Sequence, residues 1–260
     1  MLILLSPAKT LDYETAVPTA LAKHATEPLF IEEAGSLIGV MRKKRAAQVS
    51  QLMDLSAKLA ELNVERYAAW APEHNAANSK PAVLAFDGDV YDGLQARTLK
   101  ASDLAWAQQH LVILSGLYGA LRPLDWLQPY RLEMGTALRN KRGRDLYAWW
   151  GDRVAEYLND RQADAGAPVV VNLASIEYGR VALRPALRAQ VIDCVFEDWK
   201  GGGYKIVSFF AKKARGMMAR HLIEGRARSP KAMASFCAEG YAWDRVASTP
   251  ARWVFRRRQG

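Results

Sequence analysis

The sequence contains few of the residues that build disulfides and metal sites. It has two cysteines, Cys194 and Cys237, and four histidines among 260 residues. No Cys-X-X-Cys pair is present, and the spacing of these residues does not match that of zinc ligands. Two reduced and buried thiols are typical of a cytoplasmic protein, where disulfides are rare. We therefore predict no metal and no cofactor.

Long apolar runs are also lacking. The apolar stretch 1–5 is interrupted by Ser6, Pro7 and Lys9, which is too early for a signal peptide. No run approaches the roughly 20 apolar residues that a membrane helix requires. These features predict a protein that stays in the cytoplasm and has no membrane partner.

Positive charge, by contrast, is in excess. The chain has 36 Lys and Arg against 27 Asp and Glu, a formal net charge of +9. Such an excess favours a polyanionic partner such as nucleic acid or anionic lipid. Half of the residues are hydrophobic, which is ordinary for a soluble globular protein able to bury a core.

Short apolar runs alternate with helical patterns along the chain, which predicts an α/β fold. Three consecutive glycines at 201–203 separate two strand candidates and predict a hairpin, so the sheet is expected to be mixed and flanked by helices. No repeat or linker is visible, and residues 1–260 are predicted to form a single domain. The predicted strands are 2–5, 82–86, 111–114, 169–173, 191–196, 204–209 and 252–255, and the predicted helices are 36–62, 145–158 and 209–224.

The predicted helix 209–224 has a basic side. Its cations Lys212, Lys213, Arg215 and Arg220 gather opposite the apolar stripe, with no acid among them. Like charges destabilise a helix face slightly, so a face of one sign indicates an anionic partner. The alternative is a solvated face whose acids come from neighbouring loops.

Polar loops follow the predicted strands at 6–10, 87–93, 115–125 and 172–178. Ligands of open α/β sheets bind beyond the carboxyl ends of the strands, and Lys9 and Arg122 offer cations there. No nucleotide-binding motif is present, and the acids within 87–93 do not match a calcium loop. Simple turn chemistry is the alternative for each loop taken alone.

Several longer motifs occur in a fixed order. They are Leu-Ser-Pro-Ala-Lys-Thr-Leu-Asp at 5–12, Gly-Asp-Val-Tyr at 88–91, Leu-Ser-Gly-Leu-Tyr-Gly at 114–119, Leu-Arg-Pro-Leu-Asp at 121–125, Gln-Pro-Tyr-Arg-Leu-Glu-Met-Gly at 128–135, Val-Asn-Leu-Ala-Ser at 171–175, Glu-Tyr at 177–178, Ala-Lys-Lys-Ala-Arg-Gly at 211–216 and Glu-Gly-Tyr at 239–241. In these motifs the chain resembles the YaaA family of bacterial peroxide-stress resistance proteins from end to end.

The resemblance implies resistance to hydrogen peroxide through limiting iron-dependent oxidative damage. It also implies an α/β fold with a helix-hairpin-helix element and a basic cleft that binds duplex and branched DNA. We expect the helix-hairpin-helix within 36–62, with its hairpin near 44–48. The usual Gly-apolar-Gly turn is replaced there by Arg45-Ala46-Ala47, so side chains are expected to contact the phosphates instead.

Our first hypothesis is therefore a DNA-binding protein that recognises DNA shape and backbone with little sequence preference. Double-stranded or branched DNA is the expected partner, and the sequence indicates no protein partner. The expected phosphate contacts are Lys9, Lys43, Lys44, Arg45, Arg122, Arg131, Lys212, Lys213, Arg215 and Arg220. The candidates for stacking on exposed bases are Tyr91, Tyr118, Tyr130 and Tyr178.

The alternative is an enzyme that acts on DNA or on a small anionic metabolite through a strand-end pocket. Lys9 would serve as nucleophile or anchor in lyase- or hydrolase-type chemistry, with Asp89 or Glu133 as general base. A third hypothesis, direct iron sequestration, is disfavoured because histidine is scarce and the cysteines are unpaired. The sequence favours binding over catalysis.

Overall fold

The secondary structure alternates between strands and helices, as predicted. The computed structural model describes residues 1–166 and 168–258. The strands are β1 (Leu2–Leu5), β2 (Thr10–Leu11), β3 (Lys80–Pro81), β4 (Phe86–Asp87), β5 (Leu111–Ser115), β6 (Gly119–Leu121), β7 (Trp126–Leu127), β8 (Val169–Asn172), β9 (Gln190–Lys200), β10 (Gly203–Lys205), β11 (Ala242–Thr249) and β12 (Arg252–Arg257). The helices are α1 (Thr19–Ala22), α2 (Ile31–Met41), α3 (Ala46–Met53), α4 (Ala57–Ala69), α5 (Ala82–Ala85), α6 (Asp89–Leu94), α7 (Ala101–His110), α8 (Leu146–Trp150), α9 (Arg153–Ala165), α10 (Ile176–Ala182) and α11 (Ser208–Glu224).

An eight-stranded mixed sheet forms the centre of the fold, which confirms the predicted α/β class. Its order is β11-β12-β9-β8-β1-β5-β6, and β10 pairs with β9. The five strands β12, β9, β8, β1 and β5 are parallel, whereas β6, β10 and β11 are antiparallel to their neighbours. All five parallel strands therefore end at the same edge, which we call the strand-end edge.

The predictions succeeded where a strand is buried on both faces. β1, β5 and β8 are fully buried and read as continuous apolar runs, as central parallel strands do. The hairpin at 201–203 is also confirmed, with Gly201 and Gly202 at φ 64° and 84°. The predicted strand 82–86 is wrong, because α5 occupies most of it. Strand 204–209 is largely wrong too, since β10 ends at Lys205 and α11 begins at Ser208.

The long helix predicted over 36–62 is broken into α2, α3 and α4. A turn at 42–45 joins α2 to α3, and Asp54, at φ 51°, ends α3. Ser56 begins the next helix by accepting a hydrogen bond from the Leu59 amide, 3.4 Å away. The segment therefore contains one turn at 42–45, beside the predicted hairpin, and a second at 54–56 between α3 and α4. The helix-hairpin-helix element and its phosphate contacts stay predictions.

The predicted basic helix is confirmed as α11, and it packs unusually close to α6. A Cβ built on Gly216 would lie 1.8 Å from the Val90 carbonyl oxygen, and one on Gly93 would lie 2.1 Å from that of Lys213. Only glycine permits this backbone contact. The crossing brings Asp89, at the start of α6, beside the first turns of α11.

The thiol prediction is half right. Cys194 is buried in the core, whereas Cys237 is exposed, because it lies in an irregular segment over the C-terminal half of α11. In the part of the chain that the structure describes, no helix combines the length and the apolar character needed to span a membrane.

Candidate functional site

A cavity of about 450 Å³ opens at the strand-end edge beside β1 and β8, and we call it the strand-end pocket. Loops that are far apart in sequence supply its walls, because their strands are neighbours in the sheet. The lining residues are Ser6, Pro7, Ala8, Lys9, Thr10, Asp87, Gly88, Asp89, Val90, Glu133, Ser175, Glu177, Tyr178, Lys212 and Arg215.

Ser6, buried directly after β1, ties three of these loops together. Its Oγ accepts a hydrogen bond from the Ser175 amide at 2.9 Å and lies 3.3 Å from the Ser175 hydroxyl. Tyr91 donates a hydrogen bond to the Ser6 carbonyl at 3.1 Å. The loops after β1, β4 and β8 are thereby held in one arrangement.

The segment 128–135 closes another side of the pocket. A Cβ on Gly116, just after β5, would lie 2.1 Å from the Leu132 carbonyl oxygen, so this segment presses directly on the end of β5. The Gly135 amide donates to Oε1 of Glu177 at 2.7 Å, which anchors the far end of the segment to α10. Glu133 is carried into the pocket between these two attachments.

Cations and carboxylates alternate around the pocket. The Nζ of Lys9 lies 3.1 Å from Oε2 of Glu133, whose other oxygen accepts from Arg131 at 2.9 Å. The Nζ of Lys212 lies 3.9 Å from Oδ2 of Asp89. Because Lys9 and Lys212 each face an acid, the strand-end pocket is not uniformly basic.

Arg215 is the pocket cation without a carboxylate partner among residues 1–166 and 168–258. Burial lowers the pKa of its guanidinium, and its buried Nε has no hydrogen-bond partner within those residues. A buried donor that lacks an acceptor costs free energy. Arg215 also adds to the pocket wall a positive charge that no carboxylate within the described residues neutralises.

The structure brings the three catalytic candidates Lys9, Asp89 and Glu133 into this one pocket. The Lys9 side chain is 65% exposed and paired with a carboxylate. Lysine nucleophiles instead lie in apolar pockets or beside other cations. The surroundings of Lys9 thus fit an anchoring role better than a nucleophilic one.

The remaining predicted cations of α11 have acidic partners. Lys213 pairs with Glu239, and Arg220 pairs with Glu224 and donates to backbone oxygens at the end of α6. Neighbouring segments and the helix itself therefore neutralise most of the charge. Of the two interpretations of this basic face, the structure favours the one in which acids of neighbouring segments fold against it, and the helix itself adds Glu224.

Arg122 lies at the opposite edge of the sheet from the strand-end pocket. β6 runs antiparallel to β5 with Leu121 opposite Ile113, so Arg122 points back toward the start of β5. Its guanidinium pairs with buried Asp125 at 2.9 Å and donates to the Glu27 carbonyl. Its predicted place in one cleft with Lys9 is wrong.

The four stacking candidates are core residues. Tyr118 is 0% exposed, Tyr130 5%, Tyr91 7% and Tyr178 8%, and burial raises the pKa of each phenol. The Tyr118 hydroxyl accepts from Trp70, and the Tyr130 hydroxyl bonds Ser115 at 2.7 Å. Stacking requires an exposed ring face. The prediction is therefore wrong for these residues, which are packed in the core beneath the loops at the strand-end edge.

The basic turn between α2 and α3 is more accessible. Lys43 and Arg45 are exposed and Lys44 is half-buried. No carboxylate lies within ion-pair distance of these three side chains in the described part of the chain. Among the predicted phosphate contacts, these three are consecutive in the chain and have no acidic partner within the described residues.

Sequence reasoning missed the roles of Ser6, Ser175 and Glu177, although their loops were singled out. Ser6 and Ser175 meet only because they follow adjacent parallel strands, and the sequence does not show which strands are adjacent. Within the described residues, no group of three or more His, Cys, Asp or Glu side chains is placed to hold a metal ion.

The chain is similar throughout to a group of bacterial proteins. The family described as "Peroxide stress protein YaaA" matches residues 1–247. A UPF0246 protein of Leptothrix cholodnii is 63% identical over 257 residues, covering 99% of this chain and 98% of the relative. UPF0246 proteins of Albidiferax ferrireducens and Bordetella pertussis are 57% and 56% identical, each covering all of this chain and at least 99% of the relative. The chain therefore belongs to the YaaA peroxide stress protein family.

Proposed function

We propose that this peroxide stress family member binds DNA through its sugar-phosphate backbone. The observation that carries the proposal is the α2–α3 turn, where Lys43, Lys44 and Arg45 form an adjacent cationic group without carboxylate partners in the described residues. Each phosphate that such a side chain neutralises releases counterion and strengthens binding at low salt. The formal charge of +9 favours the approach of a polyanion.

A titration of labelled duplex and four-way junction over several salt concentrations tests this proposal. Replacing Lys43, Lys44 and Arg45 together by Ala should weaken binding to every sequence and reduce the slope of log affinity against log salt by roughly 2 to 3. The control removes the same charge at three scattered exposed lysines, Lys23, Lys100 and Lys231. Equal effects of the two triple variants, or no DNA binding by the parent protein, would reject the proposal.

A second candidate function is catalysis in the strand-end pocket on DNA or a small anionic metabolite. The convergence of Lys9, Asp89 and Glu133 in one cavity favours it. A lysine-dependent lyase forms a Schiff base, which borohydride reduces to a stable adduct. Trapping of DNA containing an abasic site by the parent protein, lost in Lys9→Ala and retained in Lys23→Ala, would support this function. Absence of any trapped adduct would oppose it.

A further inference from the structure

The β9–β10 hairpin stands out from the strand-end edge. Asn172, the last residue of β8, pairs with Asp193, and β9 continues from there to Lys200. At about 3.3 Å per residue, β9 projects roughly 20 Å beyond the end of β8. The hairpin therefore rises on the same edge as the strand-end pocket.

This projection carries two exposed aromatic rings. Trp199 and Tyr204 are opposite each other in the β9–β10 ladder, and their ring centroids are 5.0 Å apart in an edge arrangement. They are 36% and 37% exposed. Large rings that lie exposed side by side on a projecting hairpin are unusual in a surface that contacts only water, and they indicate an interaction site.

Two arginine side chains lie over the rings. The guanidinium of Arg258 lies 4.6 Å from the Trp199 ring centroid, and that of Arg256 lies 4.4 Å from the Tyr204 centroid. Lys200 and Lys205, the sequence neighbours of the rings, are both exposed but lie on the opposite face of the hairpin, because side chains alternate along a strand. We call Trp199, Tyr204 and Arg258 the hairpin wall.

The hairpin wall has almost no negative charge to balance it. The sequence contains no acid between Asp198 and Glu224. Asp198 itself is buried against Arg257, and Glu197, on the ring face of the sheet, pairs with Arg252 and Arg256. Arg258 has no ion-pair partner among the described residues, so the ring surface is complementary to an anion that also has flat apolar faces.

We infer that the hairpin wall binds unpaired nucleotides of DNA, with Trp199 and Tyr204 stacking on bases and Arg258 contacting the backbone. This inference rests on the proposed DNA binding. It adds a surface for unpaired bases, which contacts to the sugar-phosphate backbone alone do not provide. Aromatic rings with interleaved cations are the recurring device for holding single strands, and arginine planes add to the stacking surface. The wall takes the role that the buried tyrosines cannot fill.

The test compares three labelled DNAs of matched sequence: a single strand, a fully paired duplex and a duplex with a short single-stranded gap. Trp199→Ala combined with Tyr204→Ala should weaken binding to the single strand and the gapped duplex by about 5- to 100-fold. Binding to the intact duplex should change less than twofold. Trp199→Phe combined with Tyr204→Phe should restore most of the lost affinity, and Leu29→Ala, at an exposed apolar residue elsewhere, should be neutral.

Different outcomes separate the two proposals. If the parent protein binds the duplex but the alanine pair leaves single-strand affinity unchanged, the hairpin wall is rejected and the DNA-binding proposal survives. If the parent protein binds none of the DNAs, both fail. Vesicles of phosphatidylserine and phosphatidylcholine serve as the competing anionic surface. Vesicle binding that is as tight as DNA binding and is lost in the same variants would overturn the assignment to nucleic acid.

Discussion

The Cα of Gly216 in α11 lies directly against the carbonyl group of Val90 in α6, with space for hydrogen and no room for a methyl group. The contact sets the distance between the two helices that line one side of the strand-end pocket. Through it, the position of Lys212 and Arg215 depends on a residue that has no functional group.

We expect Gly216→Ala to destabilise the protein by about 3 kcal/mol, because the helices must separate to admit the Cβ. Urea unfolding measures the loss. Gly39→Ala is the matched control, since Gly39 lies within α2 and a Cβ there meets nothing within 4 Å. That substitution should stabilise the protein by about 0.5 to 1 kcal/mol through helix propensity. Equal effects at the two glycines would contradict the close crossing.

Ser6→Ala should cost about 1 to 2 kcal/mol of unfolding free energy. The Ser175 amide would lose its acceptor in a part-buried position, and the loops that form the strand-end pocket would lose a common attachment. Ser235→Ala, at an exposed hydroxyl, should change stability by less than about 0.5 kcal/mol. Thermal unfolding of both variants checks this, and a Ser6→Ala protein as stable as its parent would refute it.

Acid should remove the stabilising effect of Asp12. Burial alone would raise the pKa of this carboxyl, but hydrogen bonds from Thr15 and Arg97 and the charge of Lys80 together lower the pKa well below its ordinary value. A lowered folded-state pKa contributes stability that is complete above the unfolded value of about 3.9 and is lost as the pH falls through the folded value.

Asp12→Asn should therefore destabilise the protein by about 1 to 3 kcal/mol at pH 7, because buried Lys80 loses its carboxylate partner. The difference between parent and variant should shrink as the pH falls below about 4. Urea unfolding between pH 3 and pH 7 gives the comparison. A difference that stays constant over this range would show that the ionised form of Asp12 is not responsible.

The two thiols should differ sharply in reactivity. Cys237 is exposed, whereas Cys194 is buried and desolvation raises the pKa of its thiol. Iodoacetamide should label one cysteine per native chain and two after unfolding in urea. Mass spectrometry should find the native label on Cys237, and Cys237→Ser should abolish it. Native labelling of Cys194 would place it outside the core.

The strands of the central sheet were predictable because both of their faces are buried. Complete burial requires uninterrupted apolar runs, and β1, β5 and β8 show them in the sequence. β11 was missed because its residues are half-buried or exposed and include Asp244 and Arg245. At 82–86 an equally apolar run is mostly helical, since a short apolar segment carries no period that distinguishes helix from strand.

The sequence by itself determined the α/β class, the amphipathic helix α11, the family and the loops that carry the polar residues. All of these follow from short-range periodicity or from long motifs that can be read locally. Only the tertiary structure decided which side chains meet. Ser6 and Ser175 are 169 residues apart and touch because β1 and β8 are neighbours. The same packing buried the four tyrosines, brought Asp89 and Glu239 against Lys212 and Lys213 of α11, and left Trp199 and Tyr204 exposed. These outcomes depend on contacts between residues that are distant in sequence.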